Sequence, residues 1–347
     1  MPIKRSSEVR EDLLDPSVED EEGKLEASLR PKKLLDFVGQ PQLVENLSVY
    51  VKAARARGGA LDHVLLYGPP GLGKTTLGFI LAEELGVNIH VTHAPAIEHK
   101  GQLGALLTKL QPRDVLFIDE IHRLSSVVEE NLYTAMEDFR LDIVQGDGPM
   151  ATAWTVKLEP FTLVGATTRT GLLTGPMLSR FGIDARLDYY ASADLARIVR
   201  RSASILDVTI TDEACTEMAR RARGTPRIAN RLLRRARDFA EVLGDGTLDA
   251  ETTREALARL EVDEAGLDEM NRRFLRVIID TYNGGPVGIE AIAATLSEPR
   301  DTLEDVIEPF LLQHGFLART ARGRVATDRA YDHLGVPRPP AKQRSLF

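Results

Sequence analysis

The stretch Gly68-Pro69-Pro70-Gly71-Leu72-Gly73-Lys74-Thr75 restricts this chain more than any other feature. A short apolar run, His63–Tyr67, precedes it, and a helix-patterned run, Thr75–Leu85, follows it. Glycines at these places let backbone N–H groups turn inward around phosphate oxygens. The helix N-terminus beyond adds a favourable dipole. A purely structural turn does not ask for lysine followed by threonine at the helix start. The pair suits phosphate oxygens and a hydroxyl ligand for Mg²⁺. A strand–loop–helix of this kind needs a parallel sheet covered on both faces.

The surrounding pattern agrees. Leu34–Ala56 has helical spacing and stops at Gly58-Gly59. Val87–Thr92, Asp114–Ile118 and Phe161–Gly165 are predicted strands, alternating with helices at Leu103–Leu110 and Val127–Phe139. Residues 143–158 break the alternation and predict a hairpin around a Gly/Pro-rich turn. Trp154 in it is read first as a packing residue. The other reading is an exposed anchor for a partner.

Residues 192–260 are helical by pattern. Residues 268–330 give three helices and a small hairpin, the pattern of a winged helix. The expected fold is α/β: a P-loop parallel sheet with helices on both faces, a small all-helical lid and a C-terminal winged helix. The expected divisions are an acidic, largely disordered segment 1–28, an ATPase domain 29–190, a lid 191–262 and a winged-helix head 263–347.

A length of 347 residues exceeds one ordinary core and fits this multi-domain reading. No run approaches the apolar length of a membrane-spanning helix, and no secretory signal is present. The one cysteine, Cys215, cannot form an internal disulfide, so a cytoplasmic location without membrane association is expected. Net charge is −8, but it is unevenly placed. Residues 1–30 have a net charge of −4, whereas residues 196–237 hold eleven arginines and a net of +7. Such a basic block can meet phosphates whatever the total.

Val115–Ile118 is an apolar strand that ends in Asp119-Glu120. Acids at the carboxyl edge of the sheet lie beside the phosphate loop. Asp119 is assigned to magnesium, and Glu120 to the attacking water. Phosphoryl transfer further needs cations and polar sensors. Thr167 and Thr168 follow a buried strand. Arg180 sits in a rim loop, and Arg227 lies at a helix start after Thr225-Pro226. For each arginine, a solvated surface role is the competing reading.

These motifs resemble the AAA+ ATPases. Asp119–Ser125, Ala135–Phe139, Gly165–Arg169 and Arg319–Val325 narrow the resemblance to the RuvB family of Holliday-junction branch-migration motors, from about Leu29 to Tyr331. The resemblance implies a homohexameric ring on duplex junction arms, using ATP and Mg²⁺. It implies the junction-binding partner RuvA, docked on the 143–158 hairpin, and RuvC. It adds Leu29 and Arg30 at the base, Gly71, Gly73 and Thr76 in the loop, and Glu137, Asp138, Phe139 and Tyr190 around the nucleotide. Arg227 becomes a second sensor, and Arg180 a finger acting on a neighbouring subunit. Arg300, Arg319 and Arg324 become DNA contacts.

The chain departs from the family at Leu178, where an arginine is common, and at His93-Ala94, where Ser-Gly is usual. Thr152 and Trp154 replace charged and aliphatic residues. The residues alone leave two alternatives: another DNA-linked AAA+ machine of the clamp-loader or initiator type, and an ATP-switched winged-helix regulator. A winged helix also serves elsewhere as a protein-docking module.

Overall fold

The computed structural model describes residues 26–145 and 152–338. Most of the acidic segment, the tip of the hairpin and the C-terminal tail lie outside the described residues.

Five strands form the central sheet: β1 (Val64–Tyr67), β2 (Ile89–His93), β3 (Val115–Asp119), β6 (Thr162–Thr167) and β7 (Ile183–Arg186). Their order is β2-β3-β6-β1-β7, and every pairing is parallel. Alternation divides the three central strands β1, β3 and β6 between two cores. Val64, Leu66, Val115, Phe117, Val164 and Ala166 face α1 (Pro41–Arg57) and α2 (Lys74–Leu85). Leu65, Leu116, Ile118 and Leu163 face α3 (Lys100–Leu107) and α4 (Ser126–Asp138). This double burial is why the strands read as continuous apolar runs. Strand β7 was not predicted; its burial alternates, with Ile183 and Ala185 inward and Asp184 and Arg186 exposed.

Strands β4 (Arg140–Gln145) and β5 (Thr152–Lys157) pair antiparallel, as the hairpin reading required. Trp154 is 61% exposed, so the packing reading preferred from sequence is corrected in favour of the exposed one.

The lid helices α5 (Ser192–Ile205), α6 (Asp212–Arg221), α7 (Pro226–Leu243) and α8 (Ala250–Arg259) share the first core with the sheet, through Leu195, Val199, Met218 and Leu232. The basic block is largely neutralised within the lid and against the head. Arg220 and Arg221 pair with Glu217, Arg223 with Asp268, and Arg237 with Asp238.

The head has its own core. It comprises α9 (Glu269–Arg276), α10 (Ile289–Leu296), a broken third helix, and the hairpin of β8 (Leu317–Thr320) and β9 (Gly323–Ala326). The third helix runs as Arg300–Thr302, a π-helical turn Leu303–Ile307, and Glu308–Gln313. A terminal helix, Asp328–Leu334, was missed from sequence.

Candidate functional site

The phosphate loop connects β1 to α2. Gly71 and Gly73 have φ of +77° and +101°, which a side chain would strain. Tyr190 fixes the loop by donating its hydroxyl to the Leu72 carbonyl at 3.0 Å. The lid closes over it: the Arg227 backbone N–H donates to the Gly71 carbonyl at 3.3 Å. Between them lies a cavity of about 380 Å³.

Most of the residues expected around ATP, Mg²⁺ or the reaction line that cavity. Gly71, Gly73, Lys74, Thr75 and Thr76 come from the loop and α2; Leu29 and Arg30 come from the segment before α1. Asp119, Glu120 and Thr168 come from the sheet edge, and Tyr190 and Arg227 from the lid side. Arg30 lies over the Phe79 ring at 5.4 Å.

Lys74 is 8% exposed. Its ammonium donates to the Gly68 and Pro69 carbonyls, each at 2.8 Å. Burial pulls its pKa down to about 8, against the attraction of Asp119. Thr75 Oγ1 donates to Asp119 Oδ2 at 3.4 Å, while Asp119 Oδ1 accepts the Glu120 N–H at 2.9 Å. One hydroxyl and one carboxylate beside a phosphate loop suit Mg²⁺, which keeps waters and substrate oxygens for its other positions.

Glu120 has a left-handed backbone, φ 50° and ψ 41°. Such a conformation in a non-glycine residue is uncommon and recurs at functional sites. Its carboxylate accepts from Arg123 at 2.7 Å. Arg227 Nε donates to Glu26 Oε1 at 3.1 Å.

The other predicted residues lie elsewhere. Thr167 is 1% exposed and outside the cavity. Its Oγ1 pairs with His122 Nδ1 at 2.9 Å and accepts the Arg169 N–H at 3.0 Å. Only Thr168 of the pair lines the cavity; the Thr167 hydroxyl does not reach it in this chain. Glu137, Asp138 and Phe139 end α4 away from the cavity, and Phe139 packs on Phe161 with ring centroids 5.9 Å apart. These three do not surround the nucleotide cavity of their own chain.

Arg180 is beside Glu137, not beside the phosphate loop. It donates to the Pro176 carbonyl at 2.6 Å, pairs with Glu137 at 3.2 Å and lies over the Tyr133 ring at 4.3 Å. It therefore belongs to a different face of the chain.

The head arginines divide. Arg319 is exposed on the wing, as is Arg322. Arg300 is exposed but pairs with Glu290 and Glu304. The Arg324 side chain is only 8% exposed and is held by Glu308 at 2.8 Å and Glu304 at 3.0 Å. In this structure the guanidinium braces the base of the wing from inside rather than facing solvent.

Sequence reading missed Ile198, Arg201 and Asn230, which also line the cavity. Helical spacing carried a signal for Asn230 alone, three residues after Arg227. His93 also lines the cavity, in lateral register with Asp119.

A family model described as the Holliday junction DNA helicase RuvB P-loop domain matches residues 29–187. The RuvB AAA lid domain matches 190–263, and the RuvB C-terminal winged helix domain matches 264–335. A curated relative from Anaeromyxobacter sp. (strain Fw109-5), "Holliday junction branch migration complex subunit RuvB", is 61% identical over 334 residues, covering 96% of this chain and 98% of the relative. The solved Thermotoga maritima RuvB Holliday junction branch migration motor is 51% identical, with a TM-score of 0.83, covering 90% of this chain and 100% of that one. A solved point mutant of the Thermotoga maritima protein gives 50% identity and a TM-score of 0.84, covering 89% of this chain and 100% of that one. With three consecutive family matches laid over the cavity, lid and head described above, the chain belongs to the RuvB family of AAA+ P-loop proteins.

Proposed function

We propose that this chain is the ATP-hydrolysing motor subunit that drives branch migration at Holliday junctions, working as a ring of six on duplex DNA. The observation that carries this is the division of the site. One face holds the loop, the acids and Thr168; another holds Arg180. A ring brings the two faces of neighbouring copies together.

In this reading Lys74 exchanges its carbonyl partners for β- and γ-phosphate oxygens. Thr75 and Asp119 hold Mg²⁺, which when bound screens the phosphate charge. Glu120 orients a water and takes its proton as the new oxygen–phosphorus bond forms and the β–γ bridge breaks, releasing ADP. Thr168 donates to the γ-phosphate or the water, and Arg227 closes the lid upon it. Arg180 of the neighbour stabilises the transition state, a contribution of about 10³–10⁵ in rate. Hydrolysis then depends on assembly.

The segments 29–190, 191–262 and 263–347 divide the labour into ATPase, lid and DNA-binding head. Arg319 and Arg322 on the wing supply backbone phosphate contacts without sequence preference. Trp154 on the hairpin is the anchor for RuvA, and RuvC joins the same assembly. The buried free thiol of Cys215 supports a cytoplasmic location. Among the described residues, no helix is long and apolar enough to cross a membrane.

The deciding experiment is ATP-driven processing of a synthetic four-way junction, with and without RuvA, against the Lys74→Ala chain. ATP-dependent movement that requires Lys74 supports the motor. Sequence-specific duplex binding without junction movement would favour the regulator reading.

A further inference from the structure

One contact ties the ATP site to the winged helix of the same chain. Arg169 immediately follows Thr168. Its Nε donates to Asp305 Oδ1 at 2.7 Å, and a terminal nitrogen donates to Asp301 Oδ1 at 3.1 Å. The Arg169 and Asp305 side chains are about two-thirds covered. On its other side the loop is pinned inward, since Thr167 pairs with His122 and accepts the Arg169 N–H. Thr168 is thus strung between a fixed point in the ATPase and a fixed point on the head.

The receiving segment faces two ways. Asp301 and Asp305 are one helical turn apart and hold Arg169. Glu304 and Glu308 are also one turn apart, and they hold Arg324 beneath the wing, with Glu304 also gripping Arg300. The stretch between Asp301 and Glu308 includes the π-helical turn Leu303–Ile307. Such turns recur at functional positions in helices.

We propose that Arg169, with Asp301 and Asp305, is a nucleotide-sensitive clamp that sets the orientation of the head according to whether Thr168 is engaged. Arg169 acts as a positioning residue. The charge-assisted bonds it makes hold only over a few tenths of an ångström and a narrow range of angle. A shift of the Thr168 backbone toward a γ-phosphate therefore either drags the head along or breaks the clamp. Either result changes how the wing is presented to DNA. The inference rests on the reading of Thr168 as the γ-phosphate sensor.

The test uses the full chain with Lys109→Cys and Asp280→Cys, both exposed positions, one on the ATPase and one on the head. Cys215 is buried, so spin labels attach only at the new sites. Labelled subunits are diluted into unlabelled rings, and intra-chain distances are read by pulsed electron paramagnetic resonance with ADP and with a non-hydrolysable ATP analogue. The expected distances differ between the two nucleotides. In the Asp301→Asn/Asp305→Asn chain they become broad and insensitive to nucleotide. Basal ATPase of that chain persists, while its stimulation by DNA falls roughly five-fold or more. The exchange Arg169→Asp with Asp305→Arg restores part of the nucleotide response.

Equal distances with both nucleotides in the parent chain overturn the clamp. So does a double-asparagine chain that responds like the parent. Thr168→Val separates this failure from failure of the underlying reading. If Thr168→Val hydrolyses ATP normally, the sensor assignment is wrong. If it loses hydrolysis while parent distances ignore nucleotide, only the clamp is wrong.

Discussion

On the proposed reading, Lys74 should make ATP binding a proton-linked event. A solvated lysine titrates near 10.5, but burial brings this one down to about 8. Burial disfavours the charged form, so its cost to the fold is fully present below about pH 8 and disappears above the ordinary value. At about 1.4 kcal/mol per unit, that cost is on the order of 3 kcal/mol. A triphosphate reverses the preference by offering negative oxygens in place of the Gly68 and Pro69 carbonyls. The bound form therefore needs the ammonium, and the free chain must acquire a proton wherever it has lost one. With a pKa of about 8 in the free chain, apparent affinity should fall about eight-fold between pH 7.5 and pH 9. That window lies above neutrality, where the triphosphate's own ionisation is nearly complete. Titration calorimetry in buffers of different ionisation enthalpy reads the proton directly: uptake of about 0.9 proton per ATP at pH 9, and a minor fraction at pH 7.5. Lys74→Arg stays charged throughout, so its affinity, whatever its level, should be flat with pH. A flat profile in the unaltered chain would refute the claim that desolvation controls this lysine.

Arg180→Ala should retain ATP binding and lose hydrolysis, and mixed rings with Glu120→Gln subunits should recover part of the turnover. No recovery from intact mixed rings would rule out action in trans. Arg324→Ala should cost about 3–5 kcal/mol in a thermal melt, because it strands Glu308, which is 2% exposed. An unchanged melt would contradict the buried-brace assignment. Arg319→Ala should leave the melt alone and instead reduce the salt slope of duplex binding by about one. Gly78→Ala should destabilise by roughly 1–3 kcal/mol, since a Cβ there meets the Phe117 ring at 2.4 Å. Combining it with Phe117→Leu should recover stability; a wild-type melt for Gly78→Ala alone would show that the ring yields freely.

The sheet was legible because strands buried on both faces need apolar residues at every position, as at Val115–Ile118. Strand β7 was not, because it is half exposed and only four residues long, leaving two apolar positions to read. The cavity lining was legible wherever chemistry forces residue type: Lys74 and Thr75 at the loop end, read for phosphate and Mg²⁺, and Asp119 and Glu120 at the sheet edge. It was illegible for Ile198 and Arg201, which are ordinary lid-helix residues until the lid folds over the loop. Thr167 and Thr168 show the limit most sharply. Adjacent residues on an emerging strand point to opposite sides, and composition cannot say which side is the cavity. The burial of Arg324 was illegible for a related reason. Its place in an arginine-rich wing suggests solvent, but strand alternation turns it inward between Glu304 and Glu308.

Several charged groups of the site hold partners within the chain. Lys74 holds two carbonyls, Arg227 holds Glu26, Glu120 holds Arg123, and Arg180 holds Glu137. Lys74 is buried, and leaving such a charge without a partner costs roughly 1–3 kcal/mol or more; Arg227, Glu120 and Arg123 are about half exposed or more, so water can replace their partners. A ligand that displaced the two carbonyls from Lys74 without replacing them would therefore be resisted. A magnesium-bound triphosphate replaces several at once. On the proposed reading, Lys74 and Arg227 would gain phosphate oxygens, while release of Glu120 from Arg123 would free a carboxylate for water. The Arg180–Glu137 pair lies on another face and cannot be exchanged by the chain's own nucleotide. Its exchange needs a second copy. On the proposed reading, selectivity for the triphosphate would come from the exchange at Lys74, and dependence on assembly from Arg180, whose Glu137 partner only a neighbouring copy's nucleotide would replace.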